Sequence, residues 1–310
     1  MHVLVYGTGA VGGYFGARLA TGGHDVTFVA RGPNLDALRA DGLRVLMGTP
    51  SETIHVHPVR AVERPADAPP AELVFVCVKS YDSAAAADAL APAVGPDTIV
   101  LSLQNGIENE SILAERLGLP PLMIGLTRIG VELVAPATVQ YSGRGEIIFG
   151  EADGTESARA RRLAATLAAA SVPHQLRRDV LVTAWEKLAW NAGFNAVTTL
   201  ADATVREVLA VPACRDLVVR AMEEVDAVAT AQAIPVRRRR TQTVLDDSLS
   251  GLPDFPTSML QDRRRGRRLE HDAINGAVVR AATHAGVAVP VNRTLLALLE
   301  RLDAFGRSSH

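Results

Sequence analysis

Over the first half of the chain, short runs rich in Val, Ile and Leu alternate with stretches whose apolar residues recur at helical spacing. The runs at 2–6, 25–30, 72–78, 98–103 and 122–126 are almost continuously hydrophobic, which predicts strands covered on both faces. Strands of that kind separated by helical segments predict a parallel sheet with crossover helices. Residues 138–142 and 146–149, joined through Gly143-Arg144-Gly145, predict a hairpin that closes this part of the chain. After residue 158 the strand signal fades. A helix over 158–170 and an edge strand over 172–176 are expected, followed by long helical patterns to residue 303, punctuated by Pro212, Pro235, Pro253, Pro256 and Pro290. The expected architecture is an α/β domain over residues 1–178 and an all-α domain over 179–310.

Composition narrows the function more than the fold. With 310 residues the chain exceeds what one core usually serves, which agrees with two domains. A net charge of -2 and a pI near 6.5 give no general attraction to nucleic acid or to an anionic membrane. The arginine runs at 237–240 and 263–268 lack interleaved aromatics and read as solvated helix faces. No apolar stretch is long enough to span a bilayer, and the first strand begins at His2 without room for a signal peptide, so a cytosolic protein is expected. Cys77 and Cys214 offer neither a bridge framework nor a metal set, and His55 with His57 lacks a third ligand nearby, so no metal is expected. One imbalance stands out. Of 32 basic residues only Lys79 and Lys187 are lysine. Arginine cannot release its proton in a protein and lysine can, so both survivors are candidates for chemistry rather than plain charge.

The first strand runs into Gly7-Thr8-Gly9-Ala10-Val11-Gly12, and a helical pattern follows at once. Between a strand and a helix this spacing is a dinucleotide-binding turn of the Rossmann type, in which the backbone approaches a pyrophosphate seated on the helix N-terminus. The second strand ends in Arg31, where NAD-binding versions carry an acid; a guanidinium there favours a 2'-phosphate and hence NADPH, although a plain solvated arginine would fit the same place. Lys79 and Asn105 follow the ends of two further strands, where ligands of such sheets lie. Asn105-Gly106 is equally a simple turn. In the helical half, Lys187, Asn191 and Asn195 recur every fourth residue among apolar and aromatic neighbours, which predicts one polar stripe on a helix. Its donors suit a carbonyl, a hydroxyl and a carboxylate, and apolar neighbours are expected to lower the Lys187 pKa and ready it for proton donation. A polar seam satisfied by the other domain is the alternative reading.

Taken in order, the glycine loop 7–13, Val78-Lys79-Ser80, Gln104-Asn105-Gly106, the Lys187 stripe, residues 258–262 beginning Ser258-Met259, and Glu270 with residues 272–276 resemble the ketopantoate reductase family over nearly the whole chain. The resemblance implies a Rossmann-type domain, an all-helical domain and an active site in the cleft between them. It implies Lys187 as general acid, and Asn105, Asn191, Asn195 and Ser258 contacting the substrate. It also implies Glu270 supporting cofactor and lysine, and Arg31 and Lys79 holding NADP(H). The substrate would be a small 2-oxo acid, 2-dehydropantoate, reduced to pantoate in pantothenate biosynthesis; a homodimer is left open. Two features depart from the pattern: Val205 stands where members often carry a substrate-contacting Asn, and the run 263–268 is unusually basic. A reductase of another 2-oxo acid or of an imine, or a non-catalytic NADP(H) sensor, are the rival functions; a sensor has no use for a proton donor flanked by two amides.

Overall fold

The computed structural model describes residues 1–48, 52–236 and 241–306. They form two compact units, Met1–Gln104 with Asn109–Val180, and Asn105–Glu108 with the residues from Leu181 on.

The first unit contains the strands β1 (His2–Tyr6), β2 (Asp25–Val29), β3 (Leu43–Leu46), β4 (Ile54–Val56), β5 (Arg60–Val62), β6 (Leu73–Val76), β7 (Ile99–Ser102), β8 (Ile124–Ala135), β9 (Thr138–Gly150) and β10 (His174–Leu176). Its helices are α1 (Ala10–Thr21), α2 (Gly32–Asp41), α3 (Ser83–Leu90), α4 (Asn109–Leu117) and α5 (Ala158–Ala169). The order β5-β2-β1-β6-β7, parallel throughout, makes a covered sheet of four expected strands with β5 as an edge strand the sequence did not announce, and β1, β6 and β7 are buried along almost their whole length. Chain direction across the sheet reverses beside β1, between β2 and β6. In open α/β sheets the crevice at such a reversal, beyond the strand C-termini, receives the ligand.

A second sheet of order β10-β9-β3-β4, with β8 also on β9, departs from the expectation. The run at 122–126 is not a strand of the parallel sheet: it leads into the 12-residue β8, antiparallel to β9. Nor do residues 143–145 turn the chain. They lie inside the 13-residue β9, and the turn falls at Pro136-Ala137, where Ala137 has φ of +52°. The glycines of 143–145 are spent on bulges: Gly145 and Ser142 face no residue of β8, and Arg144 takes φ of +62°. A Gly-x-Gly that looks like a turn in sequence is here the means of bending a long strand.

The second unit is helical: α6 (Val180–Trp190), α7 (Ala196–Ala201), α8 (Val205–Ala210), α9 (Pro212–Ala231), α10 (Thr241–Ser250), α11 (Ser258–Arg264), α12 (Ala277–Ala285) and α13 (Pro290–Gly306). Two π-helical turns, Asn191–Asn195 and Asp272–Gly276, interrupt it. Its core gathers Trp185, Leu188, Phe194, Val218, Val225, Leu295 and Leu299. The arginines of 263–268 are more than a solvated face. Arg263 donates to the Thr199 carbonyl, and Arg264 pairs with Asp202 at 2.8 Å, so both brace the C-terminal end of α7, where cations oppose the helix dipole. The run 237–240 lies outside the described residues.

Candidate active site

In the first unit the glycine loop has the geometry its spacing predicts. Gly7 has φ of +97°, and a Cβ there would stand 2.7 Å from the Val78 backbone nitrogen, so only glycine turns the chain off β1. A Cβ on Gly12 would collide with the Gly7 carbonyl and come within 2.9 Å of Val5, which fixes how closely α1 lies on the sheet. Gly9, by contrast, faces open space, and no side chain caps α1, so its first backbone N–H groups have no side-chain acceptor, which is what an anion seat at a helix N-terminus requires. Thr8 is buried and its hydroxyl donates to the Val29 carbonyl at 3.0 Å. Ala10 and Val11 open the helix half-buried. A residue missed in the sequence completes the loop: Asn34 donates to the Thr8 carbonyl at 2.6 Å and accepts from Ala137 N–H at 2.7 Å. Nothing in Pro33-Asn34 advertises this, because both partners are remote in sequence.

Arg31 follows β2 and is exposed at the residue preceding α2, with no acid between Phe28 and Arg31. Lys79, half-buried, follows β6 and precedes the short helix Ser80–Asp82. Beside the loop, burial pushes the Cys77 thiol well above its ordinary range, which leaves it inert as a nucleophile. At the end of β7, Gln104 is used up structurally, donating to Ser83 Oγ at 2.9 Å while Ser83 donates to Asn109 at 2.8 Å.

Asn105 belongs to the second unit. Its amide donates to Glu270 Oε2 at 3.2 Å, and Glu270 is buried at 4% exposure. Residues 105–108 are tied there again by Glu108, which takes two hydrogen bonds from Arg280, at 3.1 and 2.6 Å; Arg280 also donates to Asp272 at 2.7 Å. These carboxylates raise the Arg280 pKa, Glu108 foremost.

The stripe is present, but not on a regular helix. Lys187, half-buried, lies in α6, whereas Asn191 and Asn195 bound the π turn at 5% and 2% exposure. In an α-helix every fourth residue drifts about 40° around the axis. A wider π turn rotates less per residue and offsets that drift, keeping the three side chains nearer one line. Asn195 Oδ1 is buried with no protein partner, an acceptor held out of water. Ser258 is exposed at the start of α11, and its neighbour Thr257 bonds Thr198 on α7 at 2.8 Å, an α7–α11 tie the sequence did not show. Val205 is buried in the unit's core behind a Thr204–Glu207 capping box, so it packs there rather than facing a site.

Comparison with known proteins settles the lineage. Residues 3–154 match the family described as Ketopantoate reductase PanE/ApbA, and residues 179–303 match its C-terminal counterpart. The chain belongs to the ketopantoate reductase family. It is accordingly an oxidoreductase acting on a C=O/CH–OH pair. The 2-dehydropantoate 2-reductase of Halobacterium salinarum is 34% identical over 303 residues, covering 96% of this chain and 98% of that protein. A PanE/ApbA family ketopantoate reductase structure from Ralstonia eutropha JMP134 superposes with a TM-score of 0.90 at 32% identity, covering 99% and 100% of the two chains. The fold extends further: a D-mandelate dehydrogenase solved with NADH and anilino(oxo)acetate gives a TM-score of 0.91 at 22% identity, over 99% of each chain. Among the described residues no helix is long and apolar enough to cross a membrane.

Proposed function

We propose that this member of the ketopantoate reductase family reduces 2-dehydropantoate to pantoate with NADPH, a step of pantothenate biosynthesis. The observation that carries the reading is the stripe of one lysine and two amides, half-buried Lys187 with buried Asn191 and Asn195, running along the unit's hydrophobic core. The nicotinamide cofactor, when bound, supplies the hydride. Gly7 to Gly12 and the uncapped start of α1 fit its pyrophosphate, and Lys79 and Asn105 lie at strand ends suited to its ribose. Arg31 provides the guanidinium for a 2'-phosphate where an NAD enzyme would carry an acid. Lys187 protonates the substrate oxygen and, while charged, stabilises the negative charge that develops there. Asn191, Asn195 and Ser258 hold the oxo acid's oxygens, and Glu270 fixes Asn105 and supports the lysine.

Val205 favours a second reading, reduction of a different 2-oxo acid, because the residue that often contacts substrate in the family is here part of the core. The experiment is steady-state kinetics over a panel of 2-oxo acids with NADPH and with NADH. Under the proposal 2-dehydropantoate gives the highest kcat/KM and NADPH surpasses NADH. Turnover of another oxo acid alone moves the protein to the second reading; equal kcat/KM with both cofactors removes the role given to Arg31. Tight NADPH binding without turnover of any panel member would instead mark a sensor.

A further inference from the structure

The second π turn carries a buried amide that reaches the first. Asn275 is completely buried, and its Nδ2 donates to the Ala192 carbonyl at 3.0 Å and to Asn292 Oδ1 at 3.0 Å. Ala192 lies between Asn191 and Asn195. Where an α-helix widens into a π turn the backbone ladder changes register, and a carbonyl there calls for an outside donor. Asn275 supplies one. Its orientation is fixed, because a flipped amide would set Oδ1 against two acceptors. Its own Oδ1 is buried without a partner, so the side chain is kept for its donor at the cost of an unsatisfied acceptor. Asn292, also fully buried, is fixed in turn: its Nδ2 donates to the Ala221 carbonyl at 3.0 Å and to Glu224 Oε2 at 2.8 Å. Glu224 ends the chain of bonds, accepting from the Val291 and Asn292 N–H groups, each at 2.8 Å, at the start of α13.

We infer that Asn275, backed by Asn292 and Glu224, is a positioning residue for reduction: it holds the π turn of the stripe and thereby sets the direction in which Asn191 and Asn195 are presented. This rests on the proposed role of the stripe. A misplacement of about 1 Å can cost roughly a hundredfold in rate. Asn275→Ala therefore lowers kcat/KM for the oxo acid by roughly ten- to a hundredfold, with the KM for NADPH within about twofold of wild type. A merely structural loss would not do this, and Val228→Ala, a core truncation on α9, is the control that lowers the melting temperature while leaving kcat/KM within about twofold. A second readout is independent of activity. Trp190 packs at a tilt against Phe194, ring centroids 4.9 Å apart, and donates to Ser248 Oγ at 3.0 Å, so its emission reports the π turn. With only two tryptophans in the chain, Trp185→Phe leaves Trp190 as the sole reporter.

In that background Asn275→Ala shifts the Trp190 emission and Val228→Ala does not. Should Asn275→Ala fail to fold, the half-buried Glu224→Gln decides: a fall in kcat/KM of roughly threefold or more with an emission shift supports the inference, and no change in either overturns it. Should the wild-type protein reduce no oxo acid, the functional reading fails on its own, and the emission still decides whether Asn275 holds the turn. An active wild type with an Asn275→Ala variant equal to it in kcat/KM and emission overturns the inference alone.

Discussion

Lys187 is where the residue-level arguments meet: it is one of two lysines among 32 basic residues, it heads the polar stripe, and it is half-buried on a helix that also carries Trp185 and Trp190. General acid catalysis contributes about a hundred- to ten-thousandfold, so Lys187→Ala should lower kcat by at least the smaller factor while the KM for NADPH changes little. Lys187→Arg separates charge from proton transfer, since it keeps the one and cannot perform the other near neutral pH. It should be severely impaired too, without the high-pH fall in kcat that accompanies loss of a lysine proton. Near-normal kcat with an unchanged pH profile in the Arg variant would make Lys187 an electrostatic anchor only. Residues of this kind are legible in a sequence because their spacing is local. Asn34, Thr257 and Asn275 were not, because each acts on a backbone or hydroxyl partner between 26 and 83 residues away.

At the level of elements, β1, β2, β6 and β7 were legible because near-continuous apolar runs favour a covered strand, whereas the partly exposed edge strand β5 carries no such run. The β8–β9 hairpin was misplaced because Gly143 and Gly145 serve a bulge as well as they serve a turn, and only pairing with β8 decides between the two. The π turn at Asn191–Asn195 was illegible for a similar reason: every fourth residue is the signature of a plain helix, and the widening depends on partners such as Asn275. One junction between elements carries a pH-dependent contribution. Glu151, just after β9 and buried, accepts from Arg159 at 2.8 and 2.6 Å and from Ser157 at 2.6 Å, while Arg159 also donates to the Pro121 carbonyl ahead of β8. The Arg159 hydrogen bonds, foremost, hold the Glu151 carboxyl below the ordinary glutamate range. A depressed folded-state value means stability that is fully present above the unfolded value of about 4.3 and is lost as pH falls through the folded one. Glu151→Gln should cost about 1–3 kcal/mol at neutral pH. Melting curves should show its deficit against wild type shrinking below about pH 4; a deficit independent of pH would assign the loss to packing instead.

Across the whole molecule, two units with separate cores correspond to the two matched family segments, and the fold persists in a structural relative at 22% identity. Architecture and reaction class were therefore readable from the sequence. The substrate was not: the positions that the family resemblance assigns to it beyond the stripe follow no repeating pattern, and here Val205 joins the core while Ser258 is exposed at a helix start. Cofactor choice lies between these extremes, since the proposed preference rests on Arg31 and can be tested without any substrate. A ligand at a hundred times its Kd stabilises the folded state by about 2.7 kcal/mol. At about 2–4 °C per kcal/mol for a body the size of the first unit, that is a rise of roughly 5–10 °C in Tm. NADPH should produce this shift, and NADH at the same concentration a smaller one. Arg31→Ala should reduce the NADPH shift to that of NADH, because the guanidinium sees only the 2'-phosphate. Gly12→Ala should abolish both, because its Cβ would press on the Gly7 carbonyl and Val5 and deform the loop that takes the pyrophosphate common to the two cofactors. Equal shifts from NADPH and NADH in the wild-type protein would leave Arg31 as an ordinary solvated residue and remove the ground for NADP(H) specificity.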